Sequence, residues 1–370
     1  MYLTASNLAF HLMARGIITA RSVVGGDFTL VEIGRRNRNF KVYRKTAPGL
    51  FVKQIKTSEA QAVLTLQREA MLYRRVKENP ALKPLAPLMP ELVDYDPTRY
   101  ALVVSLLDNS ESVSDLMRRT ATIPEALASA GGRALATCHA QLPAALADEQ
   151  LRPLLPAQMP WVLSLETMGY QVLENFGGIG PQLAAAIKQY PALQPGLSAL
   201  RLSYKYDSLV HGDPKWDNFV ITPREGGGGA GEDFDLKIVD WELVDVGDAA
   251  WDLGMLFKDF LVTWLLAVPD PATGAPLMPG TRPPDEILKD VQQAARAFWG
   301  AYAATRGLAG DAARQLLYRS VQHTAARLIV AVLEYFQMVP QLTYHAYAMV
   351  QMSAQTIQNP EATATTLLGS

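Results

Sequence analysis

The chain has 370 residues, 49% of them apolar, and 34 Lys and Arg against 36 Asp and Glu, a formal net charge of −2 at pH 7. That length exceeds one typical domain and that apolar content supplies a sizeable core, which excludes a disordered or fibrous chain. Its single cysteine, Cys138, excludes an internal disulfide and a cysteine-rich zinc site; with no apolar run near the ~20 residues that span a bilayer and no charged stretch leading into a signal core, a cytoplasmic protein is expected.

Residues 28–33 and 40–44 read as strands separated by Gly34-Arg35-Arg36-Asn37-Arg38-Asn39, and 50–54 follow as a third strand carrying Lys53. Residues 59–76 show Ala62, Leu66, Ala70 and Tyr73 at helical spacing, which puts Glu69 on a helix 16 positions after Lys53. The run 100–107 reads as a buried strand containing Ser105 and Leu107 and ending at Asp108-Asn109-Ser110. Beyond it the chain becomes mainly helical. Residues 129–142 carry apolar positions at helical intervals, with Cys138 and His139 as core or capping residues and Pro143 as the stop. Residues 153–160 and Phe176-Gly177-Gly178-Ile179-Gly180-Pro181 punctuate the insert that follows.

Leu209-Val210 and Phe219-Val220-Ile221 read as short buried strands bracketing a loop, and 236–240 as another strand ending in a carboxylate, with the glycine-rich 226–231 as a hairpin tip between them. Residues 251–266, 285–306, 311–338 and 344–357 read as helices, the first two joined by the proline-rich 267–284. No internal repeat is present.

The near-neutral net charge conceals a split: residues 1–90 hold 15 Lys and Arg against 5 Asp and Glu. Six of these cations, Arg35, Arg36, Arg38, Lys41, Arg44 and Lys45, fall in one hairpin. They form either a solvated face or a docking surface for an acidic partner such as a peptide. Nothing in the pattern signals nucleic-acid binding. Between Glu242 and Arg296, nine acidic residues face four basic ones, which favours cationic small molecules on that side.

The loop reads His211-Gly212-Asp213-Pro214-Lys215-Trp216-Asp217-Asn218, and 22 positions after Asn218 comes Asp240-Trp241-Glu242. Asp213 and Asn218 keep the offset of the kinase pattern H-R-D-x-x-x-x-N, in which the Asp accepts the attacking hydroxyl's proton and the Asn holds Mg²⁺. Mg²⁺ takes one or two protein oxygens plus phosphate oxygens and water, so Asn218 and Asp240 suffice as its ligands.

These segments, with Gly247-Asp248-Ala249-Ala250-Trp251-Asp252-Leu253, resemble the aminoglycoside phosphotransferase and choline kinase branch of the protein-kinase-like superfamily. The resemblance implies an α+β, two-lobed fold: a small β-rich lobe over residues 1–107 that binds the nucleotide, and a larger helical lobe over 108–370 with the catalytic loop and acceptor site. It implies ATP and Mg²⁺ as cofactors, Asp213 as the catalytic carboxylate, and Asp252 as a carboxylate bracing the loop. Lys53 and Glu69 become the ion pair that anchors the nucleotide phosphates, and Gly34 opens a phosphate-facing hairpin. The backbone around Ser105 and Leu107 meets adenine. One departure is Lys215, two positions after Asp213, where many small-molecule kinases carry another residue; lysine there resembles protein-serine/threonine kinases, whose ammonium approaches the moving phosphate.

The function expected is therefore transfer of a γ-phosphate to a hydroxyl of a small molecule such as an aminoglycoside, amino alcohol or sugar-like metabolite. Lys215 and the basic lobe leave open a Ser/Thr acceptor in a precursor peptide. A kinase-like binding module without turnover is the alternative from another class.

Overall fold

In the computed structural model, residues 2–33, 38–55, 60–120, 122–224, 234–277, 282–336 and 339–369 are described. Five strands form an antiparallel sheet in the N-terminal part: β1 (Thr29–Glu32), β2 (Arg38–Tyr43), β3 (Leu50–Gln54), β4 (Leu92–Asp96) and β5 (Ala101–Ser105), in the order β1-β2-β3-β5-β4. Phe40, Val42, Leu50, Val52, Ala101 and Val103 bury one face of this sheet against Leu8 and Leu12 of the short helix Leu8–Ala14. The period-2 alternation of strand side chains then turns Lys53, paired with Leu102 and Asn39, to the opposite face. That face receives the helix Ala60–Glu78, which buries Leu66, Glu69, Ala70 and Tyr73.

The chain after β5 is mainly helical, so the small antiparallel sheet and larger helical part match the expected fold class. The helices Glu125–His139 and Pro284–Thr305 pack closely because Gly132 has no side chain: a Cβ there would lie 2.3 Å from the Phe298 carbonyl oxygen. Around this pair Trp216, Phe219, Phe257, Phe260 and Phe298 are almost fully buried. Truncating Trp216 to Ala would cost about 3–5 kcal/mol by the usual cavity and transfer terms. The indole therefore fixes the loop that carries it.

Short strands bring the polar loop segments together. β6 (Glu111–Ser112), β8 (Phe219–Pro223) and β9 (Phe234–Ile238) form one small sheet, and β7 (Ser208–Val210) pairs with β10 (Asp245–Gly247) in another. Phe219 stands opposite Ile238, so Asn218 and Asp240 emerge side by side at the open end of that hairpin. Val239 N–H donates to Asn218 O at 2.9 Å and closes it. Val210 opposite Asp245 likewise sets the 211–213 turn beside 242–245. Strand β9 ends at Ile238, two residues short of the sequence expectation, because Asp240 adopts a left-handed conformation with φ 65°. No helix among the described residues is long and apolar enough to cross a membrane.

Candidate active site

Two clefts meet where the sheet faces the helical part. The first, of about 320 Å³, is walled by Phe51, Lys53, Val104 and Leu107 above and by Asn218 and Asp240 below. The second, of about 910 Å³, reaches from Asp240 past Asp213 and Lys215 to Trp161 and Trp251. Asn39 and Asp240 line both.

Asp213 sits on a loop held from beneath. Asp252, in the first turn of the helix Ala249–Ala267, accepts the His211 N–H at 2.6 Å and the Gly212 N–H at 3.0 Å. Asp252 is itself fully buried, with His139 Nε2 at 3.3 Å, while His139 Nδ1 meets the Tyr302 hydroxyl at 2.8 Å. His211 Nε2 bonds Val239 O at 3.0 Å, and its ring packs on Trp241 at 4.6 Å. Gly212 is required: its φ is +86°, and a Cβ would meet the Leu243 carbonyl oxygen at 2.6 Å. Asn218 Nδ2 donates to Asp213 O at 2.8 Å, so the amide oxygen is left to face the first cleft.

Lys215 lies 2.9 Å from Asp213 Oδ2. Burial would raise the Asp213 carboxyl, but Lys215 and Arg327 outweigh it and hold it below the ordinary carboxylate range. For Lys215, burial is likewise outweighed, by Asp213, and the ammonium stays well above its usual range. Asp213 is therefore held in its ionised form, with Lys215 in contact.

Lys53 Nζ reaches Glu69 at 2.9 Å, Asp240 at 2.5 Å and Glu242 at 2.7 Å. One oxygen from each of these carboxylates falls within a 4.8 Å cluster. Three carboxylates around one ammonium carry excess negative charge, and the chemistry that relieves it is a proton or a further cation. Burial accordingly pushes the Glu69 carboxyl up despite Lys53. Burial would lower Lys53, but the three carboxylates hold it above the usual lysine range. This all-oxygen donor set, with the Asn218 amide nearby, suits a hard divalent cation such as Mg²⁺.

Ser105 and Leu107 both line the first cleft. Ser105 has already given its N–H to Glu91 O at 2.8 Å and its hydroxyl accepts the Glu91 N–H, while Leu106 N–H donates to Gly49 O at 2.9 Å. The Leu107 N–H makes no hydrogen bond among the described residues, and of the three it is the donor left to the cleft. Gly34, Arg35 and Arg36 lie outside the described residues. Arg38 is spent on Leu3 O at 2.8 Å and lies over the Tyr2 ring, and Lys41 lines the first cleft, so these two cations do not extend an outward basic face.

The structure adds residues to which the sequence assigned no role. Glu242 completes the carboxylate cluster. Arg327 donates to Gly212 O at 2.7 Å and stacks 3.6 Å from the Trp251 ring centroid. Arg68 and Asn39 line the second cleft. Of the nine acidic residues between Glu242 and Arg296, Glu242 and Asp245 line that cleft, and both are engaged: Glu242 by Lys53, Asp245 by the N–H groups of Ala157 and Gln158 at 2.8 Å each. The local acidic excess therefore carries no argument for a cationic acceptor.

Comparison with known proteins adds the following. The family model described as the phosphotransferase enzyme family matches residues 27–277. No curated protein matches the chain. Among solved structures, a choline kinase from Cryptosporidium parvum Iowa II is similar at 12% identity with a TM-score of 0.59, covering 96% of each chain. A choline kinase from Streptococcus pneumoniae is similar at 13% identity and a TM-score of 0.51, over 94% of this chain and 99% of that one. APH(2″)-IIa, solved as a ternary complex with streptomycin and ATP, is similar at 12% identity and a TM-score of 0.54, over 96% of this chain and 99% of that one. These likenesses concern the fold.

Proposed function

Because the chain belongs to the phosphotransferase enzyme family, we propose that it moves the γ-phosphate of ATP, bound with Mg²⁺, to a hydroxyl of a small molecule. The enzyme class expected from the sequence, a phosphotransferase with an alcohol group as acceptor, agrees with the family. The observation that carries the finer reading is the junction of the two clefts. Asp240 lines both, while Asp213 lines the second alone, so a phosphate held at Asp240 faces a hydroxyl held at Asp213. The second cleft, about 910 Å³, has the size of a small-molecule site.

In this reading residues 1–107 hold the nucleotide and 108–370 supply the loop and acceptor site. Leu107 N–H meets the base, and Lys53, positioned by Glu69, meets the phosphates. Asn218 and Asp240, with Glu242 beside them, would hold Mg²⁺, which when bound offsets phosphate charge. Asp213 orients the acceptor hydroxyl and takes its proton as the oxygen attacks, a contribution of about 10²- to 10⁴-fold. Lys215 offsets charge on the phosphoryl group as it passes. Most of the remaining rate gain comes from positioning and electrostatics.

The test is a thermal shift with ATP and Mg²⁺ followed by a γ-phosphate transfer screen over small alcohols, amino alcohols, sugars and aminoglycosides. Stabilisation by ATP and Mg²⁺ with transfer to at least one acceptor supports the reading. Stabilisation with no transfer across the panel would favour a binding module instead.

A further inference from the structure

Arg68 and Arg327 both line the second cleft and are 7% and 5% exposed. Among the described residues neither has a carboxylate within ion-pair distance. Arg68 Nη1 donates to Val244 O at 3.3 Å and its Nε has no partner. Arg327 is held by Gly212 O and the Trp251 ring. These anchors belong to segments in contact, since Gly212 packs against the Leu243 carbonyl. Two guanidiniums thus stand on the floor of one cleft with no carboxylate in contact, although Asp213 acts on Arg327 and Asp245 on Arg68 at longer range.

A buried N–H donor without a partner is costly, and the nearby acids make their contacts elsewhere. Asp213 is engaged by Lys215, Asp240 and Glu242 by Lys53, and Asp245 by three backbone N–H groups. Glu334 is exposed, at the rim. The Trp251 face that would otherwise greet an ammonium is covered by Arg327. What remains unfilled on the floor is guanidinium donor capacity.

We propose that Arg68 and Arg327 receive an oxyanion, a carboxylate or a phosphate, carried by the acceptor, so that the molecule phosphorylated is an anionic hydroxy compound. This rests on reading the second cleft as the acceptor site. The guanidinium fork suits such a group, because its paired N–H donors match two oxygens of one anion.

The experiment is calorimetric titration of the full chain, saturated with Mg·AMP-PNP, with four matched hydroxyl compounds: glycerate, glycerol 3-phosphate, glycerol and choline. Glycerate tests the carboxylate and glycerol 3-phosphate the phosphate. At least one of them is expected to bind tenfold or more tightly than glycerol and than choline. Arg68→Gln should abolish that preference, while Arg68→Lys, which keeps the charge and is the fallback if the glutamine variant does not fold, should retain part of it. Absence of saturable anion binding, tighter binding of choline, or an undiminished preference in the Arg68 variants would overturn the proposal. Anion binding that depends on Arg68 in a chain that transfers no phosphate would leave this inference standing while the transferase reading fell.

Discussion

Lys53 Nζ lies 2.5 Å from Asp240 Oδ1 although 187 positions separate the two residues. The contact ties the sheet to the β8–β9 hairpin of the helical part, and Glu69, on the helix behind the sheet, completes it. Replacing Lys53 by Met would leave Glu69, 4% exposed at its side chain, without its cation. The expected cost is about 3 kcal/mol, moderated because Glu69 can take up a proton. Chemical denaturation should show this loss together with at least tenfold weaker ATP binding; an Lys53→Met variant as stable and as tight as wild type would break the link between the ion pair and the nucleotide site.

Asp213→Asn removes the proton acceptor while keeping the shape of the loop. Turnover should fall by about 10²- to 10⁴-fold with ATP affinity nearly unchanged. Steady-state kinetics beside a nucleotide titration separates the two quantities. Equal losses in both would reassign Asp213 to nucleotide binding.

Gly212→Ala puts a Cβ against the Leu243 carbonyl at a φ of +86°. The expected destabilisation is about 1–3 kcal/mol, because both the steric contact and the left-handed backbone oppose it. Urea unfolding measures it, and an unchanged midpoint would mean that the loop relaxes freely.

Protonation should act differently at the two ends of the site. The Asp213 carboxyl is depressed, so its ionised form, and the stability that form contributes, persist above the ordinary carboxylate pKa of about 3.9 and are lost only as pH falls through a lower value. The rate profile should therefore show no acid limb from Asp213 between about pH 5 and 8. In Lys215→Met only Arg327 is left of the two cations that offset burial, and the limb should move upward. A wild-type limb near neutrality that ignores the Lys215 change would contradict this.

The Glu69 carboxyl shifts the other way, upward by burial. A proton retained on Glu69 competes with a divalent cation held beside it. Mg·ATP binding should release protons, so its apparent affinity should rise between about pH 6 and 8 and its heat should depend on buffer ionisation. Heats identical in phosphate and Tris would show that no proton is displaced.

Much of this arrangement was legible in the chain, for physical reasons that differ by residue. Strand β3 and its Lys53 were readable because the short run 50–54 stands between turn residues, and the helix bearing Glu69 because Leu66, Ala70 and Tyr73 keep one face. Asp213, Asn218 and Asp240 were readable from spacing, because the strands bracketing them are short and nearly fixed in length. Strand β4 was missed: its Leu92-Val93-Asp94-Tyr95-Asp96 is half-buried and carries two acids, so its pattern is weak. Arg68 and Arg327 were missed because each sits inside a helix that was foreseen, where an arginine reads as a solvated position until the neighbouring segments are in place. The left-handed backbone of Asp240 and the role of Glu242 come from the meeting of distant segments around Lys53, which no local pattern encodes.

The central claim, that Asp213 delivers a hydroxyl to the γ-phosphate of ATP, is tested most directly by ³¹P NMR of the full chain with ATP, Mg²⁺ and the acceptor found by the transfer screen. The account predicts a new phosphoester resonance that grows as ATP is converted to ADP in wild type and is absent, on the same timescale, in Asp213→Asn. Conversion of ATP to ADP and inorganic phosphate alone, or the same phosphoester formed at the same rate by the variant, would contradict it.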